Sequence, residues 1–204
     1  MLNYISSFIP FIIYWGTCGV LELTNKGTLS PKQMEKNYVP KSDVFLNVMG
    51  VTLSSTLSNL LFAYIGIFDL TKFRIIYLIL GVWWIDTAEF AAHFTLHKVN
   101  FLYKNFHKTH HQLHYPYHFG ALYNSTFEAA YTSSLLFLGF YFIGFSFREF
   151  IFTTTLAYLA TVIDHNYSSN ENRFHYLHHT KYFNNNFQQP FFTYYDRLFG
   201  TYIE

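Results

Sequence analysis

The chain has 204 residues, of which 51% are hydrophobic and only 12% charged, with a formal net charge of +1 at pH 7. That balance is poor in charge for a water-soluble domain and contains no basic run, which argues against nucleic-acid binding. A lone cysteine, Cys18, excludes internal disulfides and CxxC zinc sites.

In chain order, apolar runs cover Tyr4 to Leu23, Val44 to Phe68, Phe73 to Leu96, Phe127 to Phe145 and Phe147 to Ile163. Most are close to the ~20 residues that a spanning helix needs. The first lacks a basic leader and an evident small-residue cleavage site, so it reads as an anchor rather than a signal peptide. Ser30-Pro31-Lys32-Gln33 has the form of a capping box with proline at the first helical position, which predicts a short interfacial helix. Only Arg148 and Glu149 bring charge to the break between the last two runs, predicting a tight helical hairpin. The alternative for these two runs is a pair of buried helices that do not span.

If all five runs cross, the 24–43 loop, the 97–126 segment and the tail after 164 share one face. Of the 13 lysines and arginines, only Lys72, Arg74 and Arg148 then lie opposite, so the positive-inside rule makes that shared face cytoplasmic. The expected fold is all-α: an integral membrane helical bundle with a cytosolic, histidine-rich helical cap. It forms a single domain over 1–204, with 1–80 as anchor region and 81–204 as catalytic region.

Eight of the eleven histidines fall in three clusters on that face: His93 and His97; His107, His110 and His111; His175, His178 and His179. A helix turns about 100° per residue, so positions i, i+3 and i+4 fall on one side of it. His165, at the end of the last apolar run, is the best ninth ligand, and it is expected with Asp86 to complete the catalytic set. A closed zinc site needs only four ligands, so eight or nine imidazoles predict two metal ions. Asp86 lies seven residues before His93 on the same helical face. An acid inside an apolar helix is costly, and metal-bound imidazoles commonly donate their second N–H to a carboxylate. Asp86, and less directly Glu89, are therefore expected to support the ligands. His114 and His118 bracket Pro116, which interrupts helical spacing, and are expected to line a channel or face water.

These residues resemble the fatty acid hydroxylase and sterol desaturase superfamily of membrane di-iron oxygenases. The motifs that carry the resemblance run from Asp86 to Tyr202: HFTLH, LYKNFHKTHHQ, DHN, HYLHH, FNNNF and FFTYYDRLFGTY. HKTHHQ, Ser125-Thr126-Phe127-Glu128 and Asp164-His165 look closest to sterol side-chain hydroxylases, and the tail also resembles ring-desaturating sterol enzymes. There are departures. Phe94 stands where an arginine is common, Ser125 and Thr126 replace a His-Pro pair, Tyr195 replaces a tryptophan, and the segment between His165 and His175 is short. The resemblance implies two iron ions, molecular oxygen as co-substrate, and a sterol or acyl lipid that is hydroxylated or desaturated. It also implies electrons from cytochrome b5 or an NADPH-dependent reductase, in a multi-pass protein of the endoplasmic reticulum.

Two other classes use clustered histidines. A zinc transporter or metal-binding protein would spread carboxylates and histidines along a path through the membrane. A b-type haem protein needs only paired axial ligands, to which three clusters are surplus.

Overall fold

A computed structural model describes residues 2–24, 29–165, 174–187 and 191–204. Its helices are α1 (Leu2–Ser6), α2 (Ile9–Leu23), α3 (Pro31–Met34), α4 (Lys41–Ile65), α5 (Ile75–Lys98), α6 (Asn100–Asn105), α7 (Thr126–Ile143), α8 (Phe147–Asp164), α9 (Phe174–Thr180) and α10 (Tyr194–Phe199). Two tighter 3-10 turns, His107–Gln112 and His118–Gly120, lie between α6 and α7. No strand occurs among the described residues, and the architecture is the expected all-α membrane bundle.

Among the described residues, three helical stretches are long and apolar enough to cross a bilayer: Tyr4–Leu23, Lys41–Ile65 and Ile75–Lys98. Many of their exposed side chains are large and apolar, Ile12, Leu57, Ile79 and Trp83 among them, as suits contact with lipid. α7 and α8 have 18 residues each, about 27 Å of helix, slightly less than the ~30 Å hydrocarbon core. They form the predicted hairpin. α7 stops at Gly144, whose φ of 83° suits a residue without Cβ. α8 starts on a capping box in which the Ser146 hydroxyl accepts the Glu149 N–H and the Glu149 carboxylate accepts the Ser146 N–H. The box predicted at Ser30 and Gln33 also forms, at the start of α3.

One ion pair fixes the end of the bundle remote from the histidines. The fully buried Glu149 carboxylate accepts from Arg74 Nε at 2.9 Å and Nη2 at 2.7 Å, while the same guanidinium donates to the Gly144 carbonyl at 2.7 Å. The start of α5 is thereby tied to the α7–α8 turn. α5 and α7 run antiparallel, and α8 returns toward the histidine end.

Close packing along these helices relies on small residues. Trp84 of α5 lies flat over α7, donating from its indole to the Leu136 carbonyl at 3.2 Å, and a Cβ on Gly139 would come within 1.9 Å of its ring. A Cβ on Gly81 would similarly meet Thr153 of α8 at 2.5 Å. Stacked phenylalanines fill the remaining space, with ring centroids at 4.4 Å for Phe62 and Phe137 and 5.2 Å for Phe68 and Phe150. Nearer the cap, Tyr14 and Cys18 of α2 pack with Val44, Val48, Leu113, Tyr117 and Val162. The Tyr14 hydroxyl donates to the Phe119 carbonyl at 3.1 Å, so α2 is part of the cap's support.

Candidate metal centre

All nine histidines picked out in the sequence are buried and converge into two sets. His93, His97, His107, His111 and His178 form one; His110, His165, His175 and His179 form the other, with the ligand atoms of each set within 4.8 Å of one another. The grouping does not follow the sequence clusters. In both triads the i, i+4 pair serves one set and the i+3 histidine crosses to the other: His107 and His111 are joined by His178, while His175 and His179 are joined by His110. His93 and His97, again i and i+4 on α5, complete the first set, and His165 at the end of α8 completes the second. The first triad lies on a 3-10 turn rather than an α-helix.

Hydrogen bonding at the far side of the rings fixes their tautomers. Nδ1 of His93 lies 2.7 Å from the Phe187 carbonyl, that of His110 3.0 Å from Tyr123, that of His165 2.9 Å from Thr161, that of His178 2.7 Å from Asn185, and that of His179 3.0 Å from Leu113. A carbonyl oxygen only accepts, so each Nδ1 carries the proton and each Nε2 presents a lone pair. Nε2 of His110 and of His179 then face each other at 2.9 Å with no hydrogen to share. Nε2 of His93 and of His178 are buried with no hydrogen-bond partner.

Protonation does not relieve this crowding. Burial, reinforced by the neighbouring imidazoles, holds His107, His111, His175 and His179 well below the ordinary histidine pKa, and burial pushes His110 down to about 4 and His178 to about 3. Converging neutral lone pairs are what a metal cation requires.

The spacing fits as well. Within the first set Nε2 atoms are 2.8 Å apart for His97 and His107, 3.0 Å for His97 and His111, and 3.2 Å for His107 and His111. Metal–imidazole bonds of ~2.1 Å at right angles give an edge of roughly 3.0 Å, and a tetrahedron gives roughly 3.4 Å. The observed edges suit an ion with more than four ligands.

The carboxylates depart from the sequence expectation. Asp86 is fully buried, but its oxygens accept the backbone N–H groups of Phe191 at 3.1 Å and Phe192 at 2.8 Å, and the second nitrogen of His93 goes to a carbonyl instead. Asp86 fixes the C-terminal segment to α5. The carboxylate that does hold a ligand is Glu128, 2.6 Å from Nδ1 of His107. Sequence reading used Ser125-Thr126-Phe127-Glu128 only for the family resemblance and gave Glu128 no role of its own. Ser125 does cap α7 through the Glu128 N–H, but the Glu128 side chain turns to His107.

Asp196 was also missed. Fully buried, it accepts from the Phe187 N–H at 2.9 Å and the Thr201 hydroxyl at 2.6 Å, so it positions the residue whose carbonyl holds His93. Beside it Asn186, at φ 59°, exchanges hydrogen bonds with the Ile203 backbone at 3.0 and 2.8 Å. An acid and an asparagine among aromatic residues were the available signals.

His114 and His118 stand outside both sets. His118 does not face water as expected: it is buried with Nε2 3.2 Å from a Glu22 carboxylate oxygen, because α2 packs over it. Phe94 packs against Phe90, Phe187 and Phe199. Tyr195 shares a 2.9 Å hydrogen bond with Thr87. The short stretch between His165 and His175 falls outside the described residues.

A cavity of about 120 Å³ adjoins both sets. His93 and His107 of the first and His110 and His165 of the second line it, and it extends between α5, α7 and α8 past Leu136 and Phe140. Glu89, Glu128, Thr132 and Ser133 are among the polar residues of its lining, with Asn124, Thr154, Tyr158 and Thr161.

Residues 78–201 match the profile of the fatty acid hydroxylase family. The chain is 34% identical to sphinganine C4-monooxygenase 2 of Arabidopsis thaliana, over 98% of this chain and 88% of the relative. It is 30% identical to sphinganine C4-monooxygenase 1 of the same plant, over 95% and 85%. Sphingolipid C4-hydroxylase SUR2 of Saccharomyces cerevisiae is 27% identical, over 94% of this chain and 69% of the relative. No solved structure matches.

Proposed function

The chain belongs to the fatty acid hydroxylase family and is an oxygen-dependent lipid hydroxylase of the membrane, and from that premise we propose that it binds two iron ions and hydroxylates a long-chain sphingoid base at C4. The observation that carries the metal assignment is the pair of imidazole sets, five and four, opening on one cavity between membrane helices. Imidazole suits iron, and neither set fills six coordination positions. The position and substrate class follow the relatives, whose names specify C4 of sphinganine or of a sphingolipid. The comparisons lend the transporter reading no support, and five imidazoles around one point leave no plane for a haem.

Iron would supply the oxidising power that an unactivated C–H bond demands and that no side-chain base can provide. In the balanced reaction one oxygen atom enters the C–H bond to give the alcohol and the other leaves as water, with two electrons and two protons from an external reductant. Cytochrome b5 or an NADPH-dependent reductase would fill that role. The protein's own tasks are to hold, orient and exclude. The carbonyls of Phe187, Asn185, Leu113, Tyr123 and Thr161 lock the rings, Glu128 makes His107 a stronger donor, and the apolar cavity wall keeps water from the reacting carbon. The lysine-rich end of the bundle, with Lys98, Lys104, Lys108 and Lys181, carries the centre, so the site faces the cytosol, in the endoplasmic reticulum.

Expression in cells lacking C4-hydroxylated bases tests this reading. The wild type is expected to restore them and to carry iron without a Soret band. His178→Ala is expected to abolish the product while the protein remains in the membrane. Product formation by His178→Ala equal to wild type, or a Soret band, would overturn it.

A further inference from the structure

Two carboxylates line the cavity, and the metal reading uses only one oxygen of one of them. Glu89, at i−4 from His93 on α5, lines the cavity and has no hydrogen-bond or ion-pair partner among the described residues. Glu128 also lines it, 5% exposed. One of its oxygens holds His107, and the other, Oε2, is buried with no partner. No lysine or arginine belongs to the lining. Two neighbouring carboxylates in a low-dielectric space repel each other and lack the hydrogen bonds that water would give them. A ligand with a cation and hydroxyl donors satisfies both needs, whereas a free carboxylate or a phosphate adds to the repulsion.

The helix provides a ruler. Glu89 lies one turn, about 6 Å along the axis, from His93. A head group held at Glu89 therefore leaves within reach of the imidazoles only the carbons next to it, while the rest of the chain runs on past Leu136 and Phe140. In a sphingoid base the amine-bearing carbon is separated from C4 by C3 alone, which matches this short reach.

Resting on the proposed function, we propose that Glu89, with the free oxygen of Glu128, is the receptor for the amine and hydroxyl end of the substrate. It selects the unacylated, cationic base over its N-acyl form and sets oxidation close to that end. Glu89 would touch substrate and makes no side-chain hydrogen bond to any of the nine histidines, so it is a specificity-determining residue.

The test compares wild type, Glu89→Gln and Glu89→Asp as iron-loaded enzyme in membranes, with a free long-chain base and its N-acyl derivative of equal chain length. Glu89→Gln is expected to raise KM for the free base by about ten- to hundredfold, the worth of one charged hydrogen bond. KM for the N-acyl derivative and the iron content should hold. Glu89→Asp, which keeps the charge, is expected to recover part of the loss, and this separates recognition from misfolding. An equal change on both substrates, no change on either, or loss of iron in Glu89→Gln would overturn the proposal. Wild-type enzyme that hydroxylates neither base but oxidises another lipid would overturn the substrate reading beneath it.

Discussion

Replacing Glu128 by glutamine is the sharpest probe of how the two proposed metal sites are held. The carboxylate contacts His107 at 2.6 Å in a nearly water-free setting. Glutamine retains an oxygen that accepts the Nδ1 proton but removes the negative charge that strengthens the ring as a ligand. Loss of a partner of this kind lowers metal affinity by about 10- to 100-fold, or ~1.4 to 2.8 kcal/mol at 1.4 kcal/mol per decade. Glu128→Gln belongs at the lower end. Glu128→Ala, which leaves a buried N–H unsatisfied, belongs at the upper end. The loss should be selective, because His107 belongs to the five-imidazole set, and His110, His165 and His179 of the other set are held by backbone carbonyls. Titration with a chelator of known affinity, with metal counted per polypeptide, should show one ion leaving early and the second as in wild type. Equal weakening of both ions, or no weakening in Glu128→Ala, would refute the reasoning.

Two further outcomes can be checked directly. Metal removal should loosen the cap selectively, because apposed lone pairs then have no cation between them. Hydrogen exchange is expected to quicken across His107–Gln112 and Phe174–Thr180 while the middle of α5 stays protected, and an ion present at 100 times its Kd accounts for ~2.7 kcal/mol of stability. Gly139→Ala should cost about 1–3 kcal/mol by overpacking, since its Cβ falls within 1.9 Å of the Trp84 ring. An unchanged melting temperature would show that the indole can move aside.

Much of this was legible in the sequence because strong constraints leave strong patterns. Apolar runs gave the helices, and the Ser30 box marked the start of α3. Histidine spacing identified eight residues that the fold gathers, and the end of the last apolar run marked the ninth, His165. What stayed hidden depends on where side chains turn once helices pack. An i+3 histidine and its i+4 neighbour look equivalent in a periodic pattern, yet His110 and His111 point to different sets. Asp86 and Glu128 are both acids in or beside apolar helices, and spacing favoured Asp86 because it shares a helix with His93. Glu128 reaches its histidine across a chain reversal, which spacing along a single helix does not reveal. Backbone carbonyls, which orient five of the rings, leave no mark in a sequence at all.

The carbonyls of Asn185 and Phe187 reach His178 and His93 only when their segment is pinned by Asp196, Thr201 and Ile203. Synthesis runs from the N-terminus, so the anchor helices and the first two histidine clusters emerge long before these clasps exist. On the proposed metal reading, ion uptake would therefore be completed only after the segment through Ile203 has been made and folded against the histidines. A chain lacking Asp196, Thr201 and Ile203 would keep its histidines but lose the clasp that aims two of them, which makes these three residues the latch of the proposed cage.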